Sequence, residues 1–229
     1  MKRSHIVILV IGAVLLIDQA LKIYIKTHFH YGESVNMLGL PWAQLKFVEN
    51  EGMAFGLSWG GITGKYILSI FRIVMAVVLV YFVTQLVKGK EPKGFIAAFS
   101  LIIAGAIGNI LDSIYFGLIF GKSSYHIKDV AEFMPEGGGY APFLQGNVVD
   151  MFYFPMIKSH YPAWSPIKAG EYFEFFRPIF NVADAAISVG VVIILLFYRK
   201  MFMKKPASAV ATAMTEASEN DPTANSDQA

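Results

Sequence analysis

The chain contains the sequence FNVADAAISVGVVIILLFY at residues 180–198, an apolar segment with an amide and a carboxylate near its beginning. A lone carboxylate in lipid costs roughly 3 kcal/mol unless it faces protein, water or an opposite charge. We therefore expect Asp184 to have a partner or a functional role. The sequence GNVVD at residues 146–150 ends a second apolar run with Asp150 and offers Asp184 a partner.

Two carboxylates that are brought together can share one proton, because like charges a few ångströms apart do not both ionise easily. One carboxylate can then take a proton from water while the other polarises a carbonyl group. The chain has no cysteine, which excludes disulfides, thiolate metal sites and a cysteine nucleophile. The five histidines show no metal-ligand spacing, so we expect neither a metal nor a cofactor.

The composition predicts an integral membrane protein, because 55% of the 229 residues are hydrophobic and only 16% are charged. A bilayer core needs about 20 apolar residues of helix. Four windows meet this requirement, at about residues 6–25, 66–87, 94–116 and 179–198. The first resembles a signal peptide but lacks a small-residue cleavage site, so we interpret it as a membrane helix.

The predicted fold class is membrane α-helical, with four transmembrane helices and both termini on one side. Residues 1–205 form a single integral membrane domain in this interpretation. Residues 206–229 are rich in Ala, Ser, Thr and Asn without periodicity, which predicts a disordered cytoplasmic tail.

Basic residues indicate which side is cytoplasmic. Nine of them flank the spans on one side of the membrane: Lys2, Arg3, Lys88, Lys90, Lys93, Arg199, Lys200, Lys204 and Lys205. The positive-inside rule makes that side cytoplasmic. The first outer connection alternates like a strand at residues 45–49, which predicts a small sheet on the membrane surface. The second is rich in aromatic residues and is predicted to lie at headgroup level over the site, with Tyr140, Phe143 and Trp164 as a lid.

Polar residues inside the predicted helices are expected to meet near the outer surface. Asn109 and Asp112 are three residues apart and share one face of helix three, near its outer end. They can converge there with Asp150, Asp184 and Asn181, the residue that carries the amide in the opening segment.

A second group of polar residues lies deeper in the predicted helices. Asp18 and Lys22 form an i,i+4 pair in helix one, with Gln19 beside them, and Arg72 in helix two lies at a similar depth. These deeper residues have two interpretations, polar contacts between helices or part of a functional site.

Five sequence blocks resemble, in order, those of the bacterial lipoprotein signal peptidase family, signal peptidase II. They are Asp18-Gln19 with Lys22, then NEGMAFG at 50–56, GAIGNILD at 105–112, GNVVD at 146–150 and FNVAD at 180–184. The family pattern has Arg directly after the helix-three Asp, where this chain has Ser113. The segments at 113–146 and 155–178 are also longer than usual for the family, so nothing is transferred to them.

The resemblance implies an aspartyl endopeptidase of the bacterial inner membrane. Its substrates would be prolipoproteins that carry a diacylglyceryl group, cut just before the lipidated cysteine, and the antibiotic globomycin would inhibit it. Asp150 and Asp184 match the catalytic pair. Other matched residues line or support the site: Asn50, Asn109, Asp112, Asn181, Asp18 and Lys22. The segment after helix one matches the surface-lying β-cradle.

Two other function classes fit the same residues. Intramembrane charges also occur in a proton-coupled carrier, although these acids cluster near one face and no inverted repeat is visible. A non-enzymatic factor that binds lipidated peptides would tolerate Asn in place of both aspartates. The partners expected are lipidated precursors and membrane phospholipid. Nucleic acid is not expected, because the basic residues are dispersed, and the protein is expected to act as a monomer.

Overall fold

The computed structural model describes residues 1–50, 61–127, 129–166 and 168–203. Four helical stretches in this part of the chain are long and apolar enough to cross a membrane: Arg3–His28, Thr63–Lys88, Lys93–Ile119 and Val182–Met201. The α-helices that form or begin these stretches are α1 (Arg3–His28), α2 (Gly61–Lys88), α3 (Lys93–Leu111) and α4 (Val182–Ile193). The prediction of four membrane helices is therefore confirmed. The predicted tail at 206–229 and the block at 51–56 lie outside the described residues.

Two of these helices continue through a wide helical turn of the π type. After α3 the chain stays helical through Asp112–Phe116 and Gly117–Ile119. After α4 it stays helical through Ile194–Tyr198 and Arg199–Met203. Wide turns of this kind are frequent at functional sites, and the one after α3 begins at a predicted site residue, Asp112.

A four-stranded antiparallel sheet has three of its strands in the two connections that were predicted to face outward. Its strands are β1 (Ser34–Asn36), β2 (Gln44–Asn50), β3 (Val148–Tyr153) and β6 (Ile179–Phe180), in the spatial order β1-β2-β3-β6. A separate two-stranded ribbon consists of β4 (Ile157–His160) and β5 (Tyr172–Phe175). The predicted small sheet is therefore present, and β2 contains the alternating residues 45–49.

The predicted start of the fourth helix at residue 179 is wrong. Ile179 and Phe180 form β6, which pairs with β3 opposite Tyr153 and Phe152. The helix begins at Val182, because the side chain of the preceding residue caps it, as described below. Apolar character alone could not separate the last residues of a strand from the first residues of a helix.

Helix α3 is the central helix of the described structure. Of its most apolar stretch 61% is buried, compared with 17% for α1 and α2, which present most of their apolar side chains to the surroundings. The contacts group Met1–Val191, which holds every site residue discussed below, into one compact unit. Helix α3 thus provides the surface on which the other elements place their polar side chains.

An apolar cluster connects the C-terminal ends of α1 and α3 to the sheet. Its buried members are Ile25, Phe29, Phe47, Phe116, Phe120, Val149 and Met151. Val149 and Met151 flank Asp150 in β3, so one face of that strand is fixed by close packing while Asp150 points to the other face. The packing of this cluster therefore sets the direction of the Asp150 side chain.

Helices α3 and α4 approach closely at Gly105. A Cβ atom at this position would lie 2.2 Å from the Ala183 carbonyl oxygen and 2.6 Å from Cγ1 of Ile187. We expect Gly105→Ala to destabilise the protein by about 1–3 kcal/mol, the usual cost of overpacking, and to lower the midpoint of thermal unfolding in detergent.

Gly12→Ala is the matched control for this prediction. Gly12 also lies inside a membrane helix, but a Cβ there would meet nothing within 4 Å. Since alanine is the better helix former, this variant should be as stable as the parent or slightly more stable. Equal unfolding temperatures for the parent chain and Gly105→Ala would show that α3 and α4 do not depend on close contact at this point.

Candidate active site

Asn181 connects the start of α4 to Asp150. Its Oδ1 accepts a hydrogen bond of 2.9 Å from the Asp184 backbone N–H, which is the helix-capping interaction that asparagine commonly makes. Its Nδ2 donates to Asp150 Oδ1 at 2.7 Å and lies 3.2 Å from Asn109 Oδ1. Asn181 is completely buried, so one side chain both begins the helix that carries Asp184 and fixes the carboxylate of Asp150.

Asn109 holds the second carboxylate. Its Nδ2 donates to Asp184 Oδ1 at 2.8 Å, and its Oδ1 accepts a hydrogen bond of 3.0 Å from Lys22 Nζ. The two aspartates therefore each receive a hydrogen bond from an asparagine amide, and the two asparagines contact each other. Asp184 is partly accessible, whereas Asp150 is buried, so the two carboxylates have different surroundings.

Burial and a neighbouring charge both act on Asp150. The pKa of Asp150 is raised from 3.8 to about 7, mainly by burial and next by the negative charge of Asp184. Lys22 and hydrogen bonds from Asn181 and Asn50 act in the opposite direction. A carboxyl group with a pKa near 7 still holds its proton at neutral pH in a substantial fraction of molecules, as a proton donor must.

Lys22 lies at the centre of a buried polar cluster below the two aspartates. Its ammonium group is 2.8 Å from Asp18 Oδ2, 2.8 Å from Asp112 Oδ2 and 3.0 Å from Asn109 Oδ1. The Asp18, Lys22 and Asp112 side chains are 0% exposed. An ammonium group has three N–H donors, and each has a partner here.

The same cluster connects α1, α3, β3 and α4. Asp18 Oδ1 accepts a hydrogen bond of 2.9 Å from the Ala183 backbone N–H, a donor in the first turn of α4 that has no partner within the helix. Asp112 Oδ2 accepts from the Val149 N–H at 3.4 Å. Gln19 donates to Asp112 Oδ1 at 2.9 Å. Two carboxylates from different helices thus fix the backbone beside each candidate catalytic residue.

The structure brings the predicted site residues together. Those that share the connected network are Asp18, Lys22, Asn50, Asn109, Asp112, Asp150, Asn181 and Asp184. Ser113 is buried and donates a hydrogen bond of 3.2 Å to the Asn109 carbonyl group. Arg72, considered as a partner of Asp18, interacts electrostatically with Asp184, Asp112 and Asp150.

Sequence reasoning missed a second buried cluster, one turn beyond Lys22. Lys26 forms an ion pair with Glu49 in β2, and the two side chains are only 0% and 4% exposed. Lys26 also donates to Ser123 Oγ at 3.1 Å, and Glu49 accepts a 3.0 Å hydrogen bond from Asn147 Nδ2. Asn147 precedes β3, so this cluster fixes the start of the strand that carries Asp150. The i,i+4 spacing of Lys22 and Lys26 was the available signal.

The predicted aromatic lid residues occupy different environments. Tyr140 lies over Lys26, with 4.9 Å between Nζ and the ring centroid, and its hydroxyl oxygen accepts a 2.6 Å hydrogen bond from the Asn147 N–H. Burial, and then the charge of Glu49, raise the pKa of Tyr140, which keeps this phenol neutral. Phe143 and Trp164 are exposed. Tyr140 therefore belongs to the Lys26 cluster.

Within residues 1–50, 61–127, 129–166 and 168–203, no group of three or more His, Asp or Glu side chains is arranged to hold a metal ion. The arrangement instead offers a buried carboxyl group with a raised pKa beside a more accessible carboxylate. Such a pair can supply an acid and a base in one reaction.

The structure is that of a membrane protein with four apolar spans and a small sheet. Its polar site, with the two carboxylates, lies near one end of the spans. A model of the signal peptidase (SPase) II family matches residues 10–200. The chain therefore belongs to the signal peptidase II family and is a peptidase, which leaves the carrier and the non-enzymatic binding factor without support.

Known proteins are similar in sequence or structure to most of this chain. The lipoprotein signal peptidase of Porphyromonas gingivalis is 44% identical over 197 residues, which cover 86% of this chain and 84% of the relative. That of Amoebophilus asiaticus is 32% identical, with 87% and 80% covered. A bacterial membrane enzyme solved by the in meso method at 2.3 Å resolution is 25% identical, with a TM-score of 0.54, and covers 87% of this chain and 92% of its own.

We expect Lys26→Met to destabilise the protein by about 3–5 kcal/mol, because it leaves Glu49 buried without its charged partner. Thermal unfolding in detergent measures the change. The double variant Lys26→Met/Glu49→Leu should recover much of the loss, since two well-packed apolar groups can replace a buried ion pair.

Lys168→Met is the matched control for the buried pair. Lys168 and Glu171 form an ion pair of 3.8 Å whose side chains are 59% and 62% exposed. An exposed pair contributes only about 0–1 kcal/mol, so this variant should unfold at nearly the parent temperature. Equal losses for Lys26→Met and Lys168→Met would contradict a structural role for the buried cluster.

The raised pKa of Asp150 predicts a pH-dependent gain of stability in Asp150→Asn. Between pH 3.8 and about 7 the folded chain holds a proton on Asp150 that the unfolded chain releases, so the parent loses stability as pH rises through this range. Asn carries no charge at any pH. Asp150→Asn should therefore be more stable than the parent above pH 7, and the gain should shrink towards pH 4.

Unfolding temperatures of both proteins across pH 4–8 measure this effect. Asp129→Asn is measured alongside as the control, because it removes an exposed carboxylate that lies outside the site. A constant difference between Asp150→Asn and the parent would show that Asp150 has an ordinary pKa in the folded protein.

Proposed function

We propose that this chain is an aspartic endopeptidase in which Asp150 and Asp184 cleave the signal peptide from lipoprotein precursors. The observation that carries the proposal is the asparagine pair, because Asn181 and Asn109 each hold one of the two carboxylates and contact each other. Membership of the signal peptidase II family supports the reaction class. The names of the similar proteins support lipoprotein precursors as substrates.

In this proposal the pair carries one proton, and Asp150 holds it. The raised pKa and deep burial of Asp150 support this assignment. Asp184 is the better place for the negative charge, because it is more accessible and lies in the first turn of α4. The positive end of the helix dipole stabilises a carboxylate at that position.

The reaction then follows general acid–base chemistry. Asp184 takes a proton from a water molecule as the water oxygen attacks the carbonyl carbon of the scissile peptide. Asp150 donates its proton to the carbonyl oxygen. When the tetrahedral intermediate collapses, the carbon–nitrogen bond breaks and Asp184 gives its proton to the leaving amine, while Asp150 recovers a proton from the intermediate.

The remaining network residues act as positioning groups in this proposal. Lys22, Asp18 and Asp112 fix the backbone and the asparagines without contacting the substrate. Asn50 belongs with them, since its side chain favours the ionised form of Asp150. The sheet takes the place of the β-cradle. In this proposal the protein acts as a monomer.

The orientation proposed from the basic residues also has structural support. Arg3, at the start of α1, donates hydrogen bonds to the carbonyl groups of Glu91 and Lys90 at 2.9 and 2.8 Å. The start of α1 and the turn between α2 and α3 therefore lie at the same end of the helices, opposite the sheet. We place this end in the cytoplasm of a bacterium and the site near the outer face of its inner membrane.

The substrate in this proposal carries a diacylglyceryl group on the cysteine that follows the scissile bond. Burial of an acyl chain contributes about 0.8 kcal/mol per CH₂ group, so even partial burial of two chains would place the peptide against the aspartates at a defined depth. Cleavage just before the lipidated cysteine follows from this register. Membrane phospholipid surrounds the helices, and globomycin is the inhibitor that the family resemblance implies.

Asp150→Asn and Asp184→Asn should each lower cleavage of a diacylglyceryl-modified precursor by about 10²–10⁴-fold or more, the usual contribution of a positioned acid or base. Both variants keep the shape of the side chain, and Asn can still accept the hydrogen bond from Asn181 or Asn109. A gel shift of the precursor after incubation with purified protein in liposomes measures cleavage, and thermal unfolding verifies the fold.

Asp129→Asn removes a carboxylate outside the site and should cleave normally. The parent should cleave the unmodified precursor far more slowly than the lipidated one. Normal turnover by either site variant would exclude the aspartic mechanism, whereas equal cleavage of both precursors would exclude recognition of the lipid while leaving the mechanism intact.

A further inference from the structure

The ribbon of β4 and β5 lies between the two aspartates along the chain. Strand β3 carries Asp150 and leads into the ribbon, and β6 returns from it to pair with β3 just before α4 and Asp184. The ribbon forms a sheet of its own. Its residues on β4 are all exposed, and those on β5 are exposed or half-buried.

The strand register gives the ribbon two chemically different faces. Residues directly opposite each other in an antiparallel pair point to the same side, and successive residues alternate. Ile157 lies opposite Phe175 and Ser159 opposite Phe173, which makes one face mainly apolar. The other face consists of the two remaining pairs, Lys158 with Glu174 and His160 with Tyr172.

The polar face contacts the main sheet through Glu174 and Lys158, whereas Tyr172 on the same face is 55% exposed. The Tyr153 hydroxyl, in β3, donates a hydrogen bond to Glu174. The ammonium group of Lys158 lies 5.9 Å from the centroid of the same ring. Burial, followed by the hydrogen bond with Glu174, raises the pKa of Tyr153 to about 12, so the phenol keeps the proton that it donates. The ribbon is thus attached to β3 through its polar side.

On the apolar face Phe173 is half-buried with its ring against that of Tyr161, while the other end of this face is uncovered in the described part of the chain. Ile157 and Phe175, which lie opposite each other on it, are 55% and 51% exposed. A two-stranded ribbon is marginally stable in water unless its apolar face packs against something. The exposed end of this face therefore needs a partner, which the described residues of the chain do not supply.

The position of the ribbon identifies this occupant. Residues 176–178 and the two residues of β6 are all that separate β5 from Asn181 and the first turn of α4, where the chain enters the membrane. Aromatic side chains are preferred at this depth, and Phe175, Phe176 and Trp164 are exposed on or beside the ribbon. We propose that the apolar face of the β4–β5 ribbon lies on the lipid at the boundary between headgroups and acyl chains, beside the start of α4.

Single-cysteine variants can test this directly, because the natural chain has no cysteine. Ile157→Cys and Phe175→Cys place a nitroxide label on the apolar face. Lys158→Cys and Tyr172→Cys are the matched controls on the polar face. Lys158 is next to Ile157 in β4, and Tyr172 is on the same strand as Phe175. Each labelled full-length protein is reconstituted in vesicles of phosphatidylethanolamine and phosphatidylglycerol, and its collision rates with oxygen and with a water-soluble nickel chelate are measured.

Oxygen concentrates in lipid and the nickel chelate stays in water. The ratio of the oxygen rate to the nickel rate should therefore be higher for labels at 157 and 175 than for labels at 158 and 172. Equal ratios at all four positions would overturn the proposal by placing the apolar face in water. Low rates with both reagents at 157 and 175 would also overturn it, because protein, such as a second copy of the chain, would then cover the face. The measurement needs no cleavage, so its outcome is independent of the proposed function.

Discussion

The buried ammonium group of Lys22 is the interaction on which the rest of the site depends. A charge removed from water costs several kcal/mol, and this cost is offset only where partners of opposite charge and good geometry surround it. Asp18 and Asp112 provide these charges at 2.8 Å, and Asn109 accepts the third hydrogen bond. Because the partners come from α1 and α3, the two helices must meet at this depth.

The same charges position the backbone of the other two elements. Asp18 satisfies an N–H group at the start of α4, and Asp112 satisfies one in β3. Each of these N–H groups lies one residue before a candidate catalytic aspartate. The carboxylates that neutralise Lys22 thus also fix the backbone next to Asp184 and Asp150. This second role explains why such a costly cluster lies beside the site.

Two asparagines connect this cluster to the aspartates by hydrogen bonds and add no charge. An amide donates and accepts at once, so Asn109 can accept from Lys22 while it donates to Asp184. Asn181 likewise accepts from the backbone of α4 while it donates to Asp150. The neutral amides allow the pKa of Asp150 to remain raised.

The sequence predicted the spans and most of the polar cluster, because these signals are local or are repeated along the chain. Long apolar windows indicate membrane helices, and the i,i+3 or i,i+4 spacing of polar residues places them on one face. The start of α4 was wrong, because Ile179 and Phe180 are equally apolar in a strand or a helix, although Asn181 carried a capping signal. Lys26 lies just beyond the predicted window at residues 6–25, and its partners Glu49 and Asn147 come from distant segments.

The β4–β5 ribbon could not be predicted, because its two faces depend on the register between strands that are separated by the 11 residues from 161 to 171. The ribbon can nevertheless be inserted between Asp150 and Asp184 without moving either residue. Strand β6 returns to β3, with Phe180 opposite Phe152, and closes the loop at its base. Lengthening a closed loop costs only about 0.6 kcal/mol for each doubling of its length. The positions of the two aspartates are therefore set by the β3–β6 pairing and by the contacts of Asn181 and Asn109. The β4–β5 ribbon between them can thus contact the membrane, as proposed above, without disturbing the site.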